Sequence, residues 1–152
     1  MKILIKKLKR EVKKEDEYLD KCKEYNKNPD FVDNVSISFD DNLDVSAKTV
    51  NGEVFLNGKL FERGDWNDQM RYVIHEITHV MQQEAGKVKE KTDRDDYLDD
   101  ENEIEAFQAQ ISYMSENESP EELQTYLEQL LDHHGIKGKE RKLKIEELME
   151  DV

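Results

Sequence analysis

The segment His75-Glu76-Ile77-Thr78-His79 sets two histidines four residues apart, with a carboxylate directly after the first. On an α-helix, at about 100° per residue, the two imidazoles stand about 40° apart on successive turns, so both can reach one tetrahedral Zn²⁺. Glu76 then projects to the side of that pair. There its carboxylate suits the general-base task of metal-assisted amide hydrolysis, taking a proton from the attacking water. The surroundings agree with the pattern: Val73, Ile77, Thr78, Val80 and Met81 are uncharged, and no proline interrupts.

A helix over 68–85 must carry these groups. Met70, Val73, Ile74, Ile77, Val80 and Met81 recur at helical spacing, and Gly86 is suited to follow the helix end. His75 and His79 fall about 160° from the centre of that apolar stripe, so they face something other than the main core. A catalytic zinc takes three protein ligands and leaves one position open. The single cysteine, Cys22, lies in a charged N-terminal stretch and is a poor third ligand, so a carboxylate is expected. A second helix over 101–117, with Ile104, Phe107, Ile111 and Met114 as its stripe, offers Glu103 and Glu105.

The order of an HExxH helix followed by Asn102-Glu103-Ile104-Glu105-Ala106 resembles the gluzincin zinc metallopeptidases, in which the third ligand is a Glu in an NExxA-like setting. Asn102, Glu103 and Ala106 match that pattern. The small single-domain minigluzincins, and small phage-type metallopeptidases with an EIxA helix, are most similar. The resemblance covers about 35–114. It implies a zincin-like mixed sheet beside the HExxH helix, the Glu helix beneath it, and an edge strand that pairs with an extended substrate. Glu53–Leu56 is the expected edge. The resemblance also implies a Tyr or His to stabilise the oxyanion, and Tyr72, Tyr97, His133 and His134 are the candidates, the two histidines being better suited to capping a helix end.

Helix geometry separates the two acids. Glu103 lies about 50° from the centre of the second helix's stripe, and Glu105 about 150° from it, where an acid is ordinarily solvated. An acid in an apolar stripe is costly unless paired or coordinating a metal, which favours Glu103. Asp100 and Glu101 come next.

Other elements frame this pair. A helical stretch runs to about Asn28, closed by Asn28-Pro29-Asp30. Val35, Ile37 and Phe39 alternate with polar residues as in a half-buried strand, and residues 43–50 lead into Asn51-Gly52, a type I′ hairpin signal, with 53–56 returning. Asn57-Gly58 offers another turn, and Asp65 or Asn67 an N-cap. Residues 87–96 are charged and expected to form a solvent loop. Ser119-Pro120 opens a further helix toward His134, and a last helix over 139–152 is expected around Leu143, Leu148 and Met149.

The 152 residues suit one domain, of α+β class: a basic N-terminal helical arm (1–28), a catalytic core (35–117) and C-terminal helices (119–152). Charged residues (39%) outnumber hydrophobic ones (36%), so the core is small and a metal would help hold it. A net charge of -14 argues against nucleic acid as partner. The exception is the stretch to Lys14, with seven basic residues and one acid, whose Leu4, Leu8 and Val12 suit an amphipathic helix covering its own domain. No apolar run can span a bilayer and the start lacks a secretory signal, so a cytoplasmic, monomeric protein is expected. The expectation is a Zn²⁺-dependent endopeptidase acting on peptides or proteins, with His75, His79 and Glu103 as metal ligands and Glu76 as base. The alternative is a non-catalytic, metal-stabilised binding or assembly module.

Overall fold

A computed structural model describes residues 2–87, 94–150 and 152. Helices α1 (Lys2–Val12) and α2 (Asp16–Glu24) are followed by a 3₁₀ segment, Pro29–Asn34. Strands β1 (Ile37–Phe39), β2 (Ala47–Val50) and β3 (Glu53–Leu56) come next, and then the helices α3 (Gly58–Arg63) and α4 (Trp66–Glu84). A 3₁₀ segment, Arg94–Asp99, precedes α5 (Glu101–Asn117), α6 (Pro120–His133) and α7 (Gly138–Leu148). The class is α+β, helices with a small mixed sheet. No described helix is long and apolar enough to cross a membrane.

Asn51 and Gly52 take φ of 49° and 79°, the two positive values that a type I′ turn demands, and they join β2 to β3 in antiparallel register, Val50 opposite Glu53. The strand order is β1-β3-β2, with β1 parallel to β3. This corrects the expected edge: Glu53–Leu56 is the central strand and β2 lies at the edge. Burial explains the exchange, since Val54 and Leu56 are fully covered while β2 alternates between half-buried and exposed.

Helix α4 is the axis of the fold. It packs against α5, against β2 and β3, and against α1 and α2. Asp65 caps its N-terminus by accepting from the Asn67 N–H, and its stripe from Met70 to Met81 fills the core. Its opposite face is buried as well, because α5 lies across it; that is what His75 and His79 face. The N-terminal stretch is two helices rather than one, and it is docked: Leu8 and Val12 are fully buried and the Lys7 ammonium stands 4.7 Å from the centre of the Trp66 ring. The turn expected at Asn57-Gly58 instead opens α3, with the Asn57 carboxamide accepting from the Lys59 N–H. Of the expected charged loop, 88–93 lie outside the described residues, and from Arg94 the chain is a 3₁₀ turn. In α7, Leu148 is buried but Leu143 is 64% exposed, so the stripe there runs through Ile145 and Leu148 instead.

Candidate metal centre

Two helices supply the converging groups. Asp100 caps α5, its carboxylate accepting from the N–H groups of Asn102 and Glu103, which fixes the first turn and aims Glu103 inward. Asp100 is thereby committed to capping, and Glu101 is exposed. Glu103 is 3% exposed, and its Oε1 lies 3.1 Å from His75 Nε2 and 2.9 Å from His79 Nε2, which are 3.2 Å from each other. Donor atoms on a tetrahedral zinc, held at about 2.0–2.2 Å, stand about 3.3 Å apart. The triangle fits the group. Cys22 is not part of the group; it is a buried residue of α2 with its sulfur toward the Asn28 carbonyl.

A hydrogen-bonded chain behind His79 decides its tautomer. The Gln82 amide nitrogen donates to the Asn102 carbonyl (2.9 Å) and to Glu105 Oε1 (2.6 Å), so its carbonyl oxygen must be the atom 2.7 Å from His79 Nδ1. A flipped amide would set oxygen against two acceptors. His79 Nδ1 therefore carries a hydrogen, which leaves Nε2 as the nitrogen that turns to the triangle and can give its lone pair to a cation there. Glu105 in turn accepts from the Tyr25 hydroxyl (2.6 Å) and Lys21 (3.0 Å), tying α2 to α5. The expectation of a merely solvated Glu105 is thus corrected: it is half-buried because α2 covers that face. His75 has no such support. Its Nδ1 is buried without a hydrogen-bond partner, and its ring meets Phe107 edge-on at 4.6 Å.

Lone pairs and a carboxylate that face one another repel unless a proton or a cation lies among them. Burial alone would lower the His79 pKa, but the Glu103 carboxylate outweighs it and pushes the value up to about 8. Burial would likewise raise Glu103, yet the two imidazoles hold it far below the ordinary carboxylate range. Both directions describe a site built for positive charge.

Comparison with known proteins finds no match: no family model, no curated protein and no solved structure matches this chain.

The remaining residues border a cleft of about 800 Å³ between β2 and the α4–α5 pair, lined by Lys48, Thr49, Glu76, His79, Tyr97 and Glu103 among others. The Thr49 hydroxyl lies 2.9 Å from Glu76 Oε1 and 3.1 Å from the Glu76 backbone carbonyl, its single hydrogen favouring the nearer, charged oxygen, and Glu76 Oε2 stands 4.0 Å from His75 Nε2. Of the four candidates for stabilising an oxyanion, only Tyr97 reaches the cleft. Burial pushes its phenol far above the ordinary value, with the Glu103 and Glu76 charges adding to the shift, so the hydroxyl stays protonated. Tyr72 lies away, beside Arg71 and Tyr126. His133 and His134 end α6, and the His134 ring stacks on Tyr97 with centroids 5.1 Å apart.

Sequence reasoning missed two residues. Gln82 had a legible signal, since a residue three after His79 shares its helix face. Thr49 had none: its reach to Glu76 depends on β2 lying against α4.

Proposed function

We propose that this chain is a zinc-dependent endopeptidase of gluzincin, zincin-like type. The observation that carries the reading is the triangle of His75, His79 and Glu103 with Glu76 at its rim in an open cleft. The resemblance of HEITH and NEIEA, which contain these same residues, to the gluzincin pattern supports it. Zinc, when bound by the three side chains, supplies Lewis-acid polarisation of the scissile carbonyl and a water acidic enough to act at neutral pH. Glu76 is placed to take a proton from an attacking water in the cleft and to give it later to the leaving amine. Thr49, donating to Oε1, keeps the Glu76 carboxylate turned toward the cleft. Tyr97, with a protonated hydroxyl that bonds Glu103 in this structure, is the cleft's candidate donor to the developing oxyanion. The edge of β2, bordering the same cleft, offers backbone groups to an extended peptide, which would let sequence-diverse substrates bind in one register.

A purely structural metal site has no use for a further carboxylate beside its ligands, which weighs against the non-catalytic module. Cleavage of a quenched peptide library by zinc-loaded wild type and by Glu76→Gln tests the proposal. Loss of cleavage in the variant, with zinc content unchanged, is expected. Equal cleavage by both, or none by wild type with zinc bound, would refute it.

A further inference from the structure

Away from the cleft, the corner between α1 and α2 meets the last turn of α5. Glu15 is the N-cap residue of α2 but its side chain caps nothing; Glu17 is the second residue of that helix, in its first turn; Glu116 comes from α5. One carboxylate oxygen of each lies within 4.8 Å of the others. Glu17 is the telling member. It is 7% exposed, and both its oxygens are buried without a hydrogen-bond partner. A carboxylate so placed is short of hydration, offset only by the positive N-terminal end of α2, and a cation or a proton would fill the gap. Among the described residues, no lysine or arginine pairs with any of the three. The last turn of α5, where the helix dipole favours positive charge, contains no basic residue either.

We propose that Glu15, Glu17 and Glu116 form a binding site for a hard divalent cation of calcium type, which clamps the α1–α2 corner to the C-terminal end of α5. The donors are all carboxylate oxygens, the set preferred by Ca²⁺ and Mg²⁺, whereas zinc is drawn to the imidazoles elsewhere. Calcium bonds oxygens at about 2.3–2.6 Å, so oxygens across its sphere stand about 5 Å apart, and three oxygens within 4.8 Å of one another need only small side-chain adjustments to hold it. Glu116 is exposed and Glu15 half-buried, leaving one side open to water ligands. Burial, with Glu116 and Glu15 alongside, pushes the cation-free Glu17 carboxyl up to about 7, so the empty site is loaded with repulsion that a cation would relieve. The site is independent of the zinc reading.

Calorimetric titration of CaCl₂ into the zinc-loaded full chain at pH 7.5, in resin-treated buffer, together with melting curves, tests the proposal. One equivalent of Ca²⁺ should bind and raise the melting temperature. Glu17→Gln should weaken binding by about tenfold or more, because affinity follows ligand charge. Glu116→Gln, at an exposed position that folding tolerates, should weaken it too and carries the test if the buried variant fails to fold. His79→Ala should keep its calcium response, which separates this site from the zinc centre. No heat and no melting shift in wild type, or undiminished binding in Glu116→Gln, would overturn the proposal; the Glu17 carboxyl would then be sharing a proton with its neighbours.

Discussion

Replacing Gln82 by Leu isolates the contribution of the chain behind the metal centre. The side chain keeps its bulk, but three bonds vanish: the acceptor for His79 Nδ1–H at 2.7 Å and the donors to Asn102 O and Glu105. With Nδ1 unsupported, His79 is free to adopt the other tautomer, which turns a hydrogen toward Glu103 in place of the lone pair. Loss of such outer support costs about 10–100-fold in metal affinity, or roughly 1.4–2.7 kcal/mol. Part of the loss is structural, because the half-buried Asn102 and Glu105 acceptors each lose a partner, at up to about 1 kcal/mol each. Glu105→Gln separates the parts: it disturbs the α2 tie while leaving the Gln82 carbonyl on His79. Competition titration with a chromophoric chelator reads affinity, metal-free melting reads stability, and nitrogen chemical shifts of the metal-free protein, recorded well above pH 8 where the His79 imidazole is neutral, read the tautomer. The reasoning predicts a large affinity loss for Gln82→Leu and a change below about threefold for Glu105→Gln. Equal affinity in wild type and Gln82→Leu, or an Nε2–H tautomer in wild type, would refute it.

Glu103→Gln should lower zinc affinity far more than Glu105→Gln in the same titration; the reverse ranking would reassign the third ligand. Thr49→Val, nearly isosteric, should lower kcat by about tenfold through loss of one hydrogen bond to a charged group, with zinc content unchanged; an unaltered kcat would remove Thr49 from the machinery. Leu8→Ala should cost roughly 2–5 kcal/mol in a denaturant melt, because a fully buried side chain leaves a cavity; a loss below about 1 kcal/mol would mean that α1 does not dock. The Glu17 carboxyl, with a folded pKa of about 7 against an ordinary 4.5, faces Glu15 and Glu116, and Asp16 and Glu11 act through Glu15. Its raised folded value favours the folded state fully below pH 4.5, and that advantage is lost as pH rises through 7. In calcium-free buffer the stability of wild type relative to Glu17→Gln should therefore fall across that window, by on the order of 3 kcal/mol. A flat difference would contradict the burial of an unpartnered acid.

Much of this was legible because it is local. The stripe from Met70 to Met81, the Asp65 and Ser119 caps and the Asn51-Gly52 hairpin are written within a few residues of where they act. The facing of Glu103, rather than Glu105, toward the His75–His79 pair follows from helix angle alone. What was not legible depends on which elements become neighbours. Strand order placed β3 between β1 and β2, and no pattern within Glu53–Leu56 announces a central position beyond two buried residues in four. Glu105 reads as a surface acid until α2 arrives with Lys21 and Tyr25. Thr49 reads as an ordinary strand residue until β2 is laid beside Glu76.

The central claim is that His75, His79 and Glu103 together hold a zinc ion. Anomalous diffraction from crystals of zinc-loaded protein, recorded on both sides of the zinc absorption edge, tests it most directly. The account predicts one strong edge-dependent peak about 2.0–2.2 Å from His75 Nε2, His79 Nε2 and a Glu103 carboxylate oxygen, with Glu76 outside bonding distance. A peak that omits Glu103, one bound by Glu76, or no peak at the triangle would contradict it.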